Sequence, residues 1–225
     1  MKIVHPSIER QIVFEENRVN VLIIENQKML SDMIEELIRQ INGESGNFVI
    51  SENMEFVNIS KSAEICIDMF SLEINSKKLI TKLYEKLREK AMDENIYLDT
   101  KMILGEVLTY IENLMSASDE YPLVCNYNMD INSILKVADI KFDISSSGYL
   151  ERIIDYISIT HEFCNVKLFI FVNLKNFLLP EELEEFYKTI FYKKIDVLLF
   201  ENTEREIASK AEYIYIIDKD YCQIK

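Results

Sequence analysis

Residues 166–173, V-K-L-F-I-F-V-N, restrict the fold more than any other stretch of the chain. The run has strand length and is rich in β-branched and aromatic side chains. A strand with no polar alternation has no face to offer water, so both faces of its sheet must be covered. A helix-period pattern precedes the run and another follows it. Together these features predict an α/β fold, a parallel sheet with helices on both sides.

The rest of the chain reads as the surroundings of that strand. Residues 11–14 and 20–25 are strands separated by a polar turn at 15–18. Leu30, Met33, Ile34, Leu37, Ile38 and Ile41 recur on one helical face, and Gly43 stands where the helix should stop. Residues 48–51 and 55–59 predict a short hairpin, and 63–67 a further strand. From about residue 75 the texture changes. Residues 76–91 and 97–116 are long helical patterns with almost no strand signal between them. Leu79, Ile80, Leu83, Leu87 and Ala91 form the apolar face of the first. Leu104, Leu108, Ile111 and Met115 form that of the second, widened by Ile103, Val107 and Leu114. Residues 75–139 are therefore expected to be a helical leg inserted into an α/β head made of residues 1–74 and 140–225. Asp130 is placed to cap a short helix ending near Ala138. Residues 140–142 return to the sheet as a strand, and 145–148 are a turn. Leu150, Ile153, Ile154, Ile157, His161 and Cys164 share one face of the next helix. Pro180 opens another, with glutamates in its first turns and Lys193-Lys194 at its end, matching the macrodipole. Residues 196–200, 213–217 and 221–224 complete the sheet.

Composition narrows the chemistry. With 225 residues, 48% of them hydrophobic and 28% charged, the chain can bury a substantial core and is not of disordered type. The first residues show no secretory signal, and no apolar run approaches the ~18 residues of a membrane span. Cys66, Cys125, Cys164 and Cys222 are scattered without a C-x-x-C pair, as expected of reduced thiols in a cytoplasmic protein. Four glycines are present, and neither G-x-x-x-x-G-K-[ST] nor G-x-G-x-x-G occurs. Nucleotide hydrolysis of the P-loop type is not expected, because backbone N–H groups need such glycines to approach phosphates. G-x-S-x-G and H-E-x-x-H are absent as well.

The net charge of −14 argues against an evenly basic nucleic-acid-binding surface and leaves room for a local one. Lys78, Lys82, Lys86 and Lys90 recur every four residues, so they follow one drifting face of a helix. With Lys77 and Arg88 they make six basic residues against Glu85 and Glu89 over residues 77–90, a net of +4. Such a row serves as a solvated face with i, i+4 pairing, or as ammonium groups tracking a phosphate backbone. Residues 106–130 hold five acidic side chains and no Lys or Arg. Of these, Asp119, Glu120 and Asp130 are candidate ligands for a hard cation such as calcium, with amide oxygens of Asn126 and Asn128 nearby. A helix end followed by an N-cap is the plainer reading of the same residues. His161 and Cys164 stand three apart on an apolar helix face, where a buried, hydrogen-bonded histidine is the ordinary outcome.

Five stretches in order along the chain carry a resemblance: M-K-I-V-H-P-S-I-E (1–9), V-N-V-L-I-I-E-N (19–26), D-M-F-S-L-E-I-N-S-K-K-L (68–79), K-L-F-I-F-V-N-L-K-N-F-L (167–178) and Y-I-I-D-K-D-Y-C-Q-I (215–224). With them the chain resembles the Csn family of CRISPR-associated proteins, accessory adaptation proteins of subtype II-A systems. The resemblance implies a degenerate P-loop-NTPase-like α/β head with an inserted α-helical leg. It also implies a homotetrameric ring whose basic lumen takes double-stranded DNA ends, supported by bound Ca2+ and without bound nucleotide. The implied role is spacer acquisition in antiviral defence, beside the integration nuclease and the effector nuclease, with no catalysis of its own. The family tends to be acid-rich where this chain has Val124, Cys125, Asn126, Tyr127 and Asn128. On this reading Lys77, Lys78, Lys82 and Lys86 contact DNA phosphates, with Lys136 and Lys141 as additions, and Asp119, Glu120 and Asp130 hold the metal. A metal-dependent nuclease and a protein-interaction scaffold without direct DNA binding are the alternative classes.

Overall fold

The computed structural model describes residues 1–118, 121–144, 148–207 and 209–224. The chain forms two compact units, one of residues Met1–Ile74 and Ile144–Lys225, the other of residues Asn75–Asp143.

The first unit is built on two sheets. Strands β1 (Lys2–Val4), β2 (Ile12–Val13), β4 (Val49–Glu52) and β5 (Glu55–Val57) form an antiparallel sheet in the order β2-β1-β4-β5. Strands β3 (Val19–Ile24), β6 (Ala63–Cys66), β7 (Leu168–Val172), β8 (Asp196–Glu201), β9 (Glu212–Ile217) and β10 (Gln223–Ile224) form the second, in the order β10-β9-β3-β8-β7-β6. Five of these strands are parallel, and β10 closes one edge antiparallel to β9. Taken in chain order as first to fifth, the parallel strands lie 5-1-4-3-2, a doubly wound, P-loop-NTPase-like sheet.

Every residue of β3 and β7 is buried. Alternation within the strands sends the side chains to opposite layers. Val21, Phe169, Phe171 and Leu199 face α6 (Tyr149–Cys164) and α7 (Pro180–Tyr192). Leu22, Ile170, Leu198 and Phe200 face α1 (Gln27–Ile41) and the inner side of the antiparallel sheet, through Met33, Leu37, Ile3 and Ile50. The strand predicted at 166–173 is thus β7, flanked on both sides by β6 and β8.

The strand expected at 11–14 pairs with β1, a strand the alternation had not revealed, rather than with β3. The strand expected at 140–142 does not form. Instead the side chain of Asn75 acts as a one-residue partner strand: its Oδ1 accepts the Phe142 N–H at 2.9 Å and its Nδ2 donates to the Phe142 carbonyl at 3.1 Å. This closes the ends of the second unit, which holds α3 (Lys77–Ala91), α4 (Tyr97–Ser116) and α5 (Ile131–Val137). A one-turn helix, α2 (Ile59–Ser62), leads into β6. Both histidines are hydrogen-bonded. His5 accepts the Ser7 N–H on Nδ1 and approaches Glu36 Oε2 at 3.2 Å through Nε2. His161 Nδ1 donates to the Val166 carbonyl at 2.7 Å and so ties α6 to the start of β7. No helix of the described residues is long and apolar enough to cross a membrane.

The β4–β5 hairpin turns on Asn53 and Met54, both with positive φ (51° and 67°). That is the two-residue turn in which Asn-Gly is preferred, and a methionine there is strained. Met54 is fully exposed and packs on nothing that its loss would cost. Met54→Gly should therefore stabilise the chain by about 1 kcal/mol. A rise in the urea midpoint at unchanged slope would show it, whereas a fall would mean that the side chain contributes to packing.

Candidate nucleic-acid interface

Open α/β sheets bind ligands beyond the carboxyl ends of their strands, where the strand order reverses. Here that place lies after β3, between β9 and β8. The connection from β3 to α1 is Glu25-Asn26. Asn26 caps α1 with Oδ1 on the Met29 N–H at 3.0 Å and donates Nδ2 to the Lys219 carbonyl at 3.0 Å. The Glu25 N–H goes to the Ile217 carbonyl. A helix N-terminus that could cradle a phosphate is thus capped by a side chain, with a carboxylate beside it.

The neighbouring strand ends are closed in the same way. Asn173, in left-handed backbone (φ 57°), donates its N–H to the Phe200 carbonyl and accepts the Asn202 N–H on Oδ1 at 3.1 Å. Glu201, fully buried, accepts the Lys175 N–H at 3.1 Å. Lys175 Nζ pairs with Glu212 Oε2 at 2.7 Å, both side chains lying out of water, and the Tyr187 hydroxyl donates to Glu212 Oε1 at 2.8 Å. Burial pushes the Glu201 carboxyl up to about 7 and raises the Tyr187 phenol well above its usual range.

The basic row lies on α3. Ser76 opens this helix as N-cap, its hydroxyl accepting the Leu79 N–H. Leu79 and Ala91 are buried, and the tyrosine between them, Tyr84, donates its hydroxyl to the Leu135 carbonyl of α5 at 3.1 Å. Lys77, Lys78 and Lys82 are exposed and Lys86 is half-buried. Lys82 Nζ stands 2.6 Å from Glu85 Oε2, an exposed pair of little energetic weight. Lys136, on α5, is exposed. Lys141 is paired with Asp139 at 2.6 Å, and that partner holds its ammonium above the usual lysine range.

The helices also form a groove of about 260 Å³ lined by Thr81, Tyr84, Glu85, Arg88, Asn132 and Lys136. At about 100° per residue, Arg88 lies roughly a third of a turn round α3 from Lys82. The structure therefore brings Lys136 together with Arg88 and leaves Lys82 on another side of the helix. Asn132 and Tyr84 were missed as groove residues. The i, i+4 spacing of Asn132 and Lys136 on a capped helix was the available signal for the first.

Among the candidate metal ligands, Asp119 and Glu120 lie outside the described residues. Asp130 is the N-cap of α5: Oδ1 accepts the Ser133 hydroxyl and N–H, and Oδ2 accepts from Asn132 Nδ2 at 3.0 Å. Those bonds, the Ser133 hydroxyl first, hold its carboxyl below the usual range. Asn126 Oδ1 accepts the Asn128 N–H in a local turn. Among the described residues no three His, Cys, Asp or Glu side chains converge.

Glu201 makes stability depend on pH. The folded chain keeps its proton to about pH 7, whereas the unfolded chain releases it near 4.5. Between those values the native state binds the extra proton, so stability should fall as pH rises through that window and level off above it. One proton gives at most about 1.4 kcal/mol per pH unit. Glu201→Gln keeps the acceptor for Lys175, so it should flatten the slope from pH 5 to 7 and stabilise the chain at pH 8. Urea midpoints across that range measure this, and an unchanged slope would assign the proton elsewhere. Asp196, pushed up to about 6 by burial, leaves a smaller slope in the lower part of the window.

A family model described as CRISPR-associated protein (Csn2) matches residues 40–221. No curated protein matches the chain significantly. Among solved structures, an ATP-binding cassette of an ABC transporter in its ADP conformation is similar over 93% of this chain and 80% of that one, at 11% identity and a TM-score of 0.45. A likeness that loose carries no argument about fold or ligand. The matched residues span all of the helical unit and most of the α/β unit, and the protein therefore belongs to the Csn2 family of CRISPR-associated proteins.

Proposed function

We propose that this protein is a non-catalytic, sequence-independent binder of double-stranded DNA ends that acts as a homotetrameric ring in spacer acquisition. The observation that carries the reading is the set of exposed lysines on α3, with Lys78 and Lys82 on one face and Lys77 just before them, in a chain of the Csn2 family whose overall charge is −14. Positive charge gathered on one helix of an acidic protein marks a specific anionic partner better than a solvating surface does. Ammonium groups on one face position a phosphate backbone without reading bases. Lys86, Lys136 and Lys141 are assigned to the same work. The capped Glu25-Asn26 connection supports a protein that neither binds nor hydrolyses nucleotide.

Assembly has support of its own in α4. Ile103, Tyr110 and Leu114 are about half exposed or more, and with Val107 they follow i, i+4, i+7, i+11 spacing. That is a helix seam of the kind that packs on another helix. Four copies would multiply a modest lysine row into a strong field. Calcium, held by Asp119, Glu120 and Asp130, is assigned a supporting role in the ring. The integration and effector nucleases of the system are the assigned protein partners.

Gel shifts of linear and covalently closed circular duplex of one sequence, with calcium and with chelator, test the reading. Linear DNA should shift and circles should not, and chelator should weaken the shift. Lys78→Glu with Lys82→Glu should weaken binding at least about tenfold near 0.1 M salt and reduce its salt dependence. Equal binding to circles would undo the ring. No binding at all would favour a scaffold, and magnesium-dependent degradation would reinstate a nuclease.

A further inference from the structure

An aromatic cluster stands at the carboxyl ends of β6 and β7, outside the interior packing. Phe70 stacks on Tyr149 with ring centroids 4.9 Å apart and meets Phe177 edge-on at 5.4 Å. Three separate segments supply these rings: the one leaving β6, the first turn of α6, and the one entering α7. Tyr149 leans on the core, and Arg152 lies 5.9 Å from its ring centroid. The outer members are open to water: Phe70 is 63% exposed and Phe177 43%, and Leu179, two residues on from Phe177, is 64% exposed. Rings ordered by one another and left wet cost hydration free energy, and they have the composition of the centre of a protein interface.

The surrounding charge selects the occupant. Asp68, Glu73, Glu151, Glu181 and Glu182 belong to the same segments, against the exposed cation Arg152, since Lys175 is buried in its pair with Glu212. Two of the carboxylates are fixed in place. Asp68 Oδ1 accepts the Phe70 N–H at 2.9 Å, and Glu182 Oε2 accepts the Leu179 N–H at 2.7 Å. An acidic rim repels a phosphate backbone and an anionic membrane alike, and it attracts lysine and arginine. We propose that the Phe70–Tyr149–Phe177 cluster docks a basic segment of a partner protein, which seats an aliphatic or aromatic side chain on Phe70 and Phe177 and its cations on the acidic rim. The surface is distinct from the basic helix and does not rest on the DNA-binding reading.

The test uses the full chain and three fluorescein-labelled 14-residue peptides sharing a central Leu-x-x-Phe, flanked by Lys and Arg, by Ser, or by Glu. Fluorescence anisotropy should show the basic peptide bound about tenfold more tightly than the serine peptide, with the glutamate peptide unbound. Phe70→Ser with Phe177→Ser should weaken the basic peptide at least about tenfold. Leu179→Ser, at an exposed position, should weaken it too and guards against misfolding of the double variant. Asp68→Asn with Glu73→Gln should reduce its salt dependence. Shifts of linear duplex DNA should be unchanged in all these variants. Equal binding of the three peptides would overturn the proposal, as would no binding of the basic one up to about 1 mM. A fall in oligomeric mass on Phe70→Ser with Phe177→Ser would also overturn it and assign the cluster to contact between copies of this chain.

Discussion

Strands β3, β7 and β8 have almost no water contact, and the rest of the α/β unit follows from that condition. Their backbone groups are satisfied by parallel pairing, β3 with β8 and β8 with β7, because no solvent is there to do it. Their side chains alternate into two layers, so each layer needs its own cover. Helices α6 and α7 supply one through Ile153, Ile157, Phe186 and Ile190. Helix α1 and the four-stranded sheet supply the other. The short antiparallel sheet is therefore a lid on the second layer: Ile3, Ile12 and Ile50 point inward while Val4, Val13 and Val49 point out.

The same burial decides what happens at the strand ends. A doubly wound sheet presents helix N-termini and carboxyl ends where an anion could sit, and here those groups are bonded to protein instead. Asn26 and Asn173 place one carboxamide each at the ends of β3 and β7, and Glu201 places a carboxyl at the end of β8. A buried carboxyl at that spot favours its neutral form, and neither that form nor the carboxylate attracts an anion. The buried Lys175–Glu212 pair is held by the Tyr187 hydroxyl and by the Glu206 carbonyl, which satisfies the extra lone pairs and protons that such a pair needs. The strand ends of this doubly wound sheet are thus engaged in structural bonds.

How much of this was legible in the sequence depended on the range of the interaction. Helix α1, strand β7 and the capping of α5 by Asp130 are set by neighbours within a turn or by an unbroken apolar run, and each could be read directly. Strand β1 could not, since Lys2, Ile3 and Val4 form a strand only through pairing with residues 12–13 and 49–51. The strand expected at residues 140–142 failed for the opposite reason: the residues suit a strand, but a single asparagine side chain takes the backbone bonds of Phe142. The lysine row was visible as a period of four. The pairing of Arg88 with Lys136 in a groove was not, because that depends on which side of α3 receives α5.

Charge and apolar exposure are sorted among surfaces in a way that composition hides. The whole chain is acidic, yet residues 77–90 carry a net +4 on one helix. The rings of Phe70 and Phe177 in the α/β unit belong instead to segments rich in carboxylates, with Arg152 their exposed cation. Opposite fields on two separate surfaces attract opposite partners, and each repels the other's ligand. A basic segment suited to the aromatic cluster would be repelled by α3, and a phosphate backbone suited to α3 would be repelled by the cluster. On the proposed reading the acidic excess would have a physical role: it would confine nucleic acid to the few helical residues able to hold it and leave the remaining surface to protein contacts.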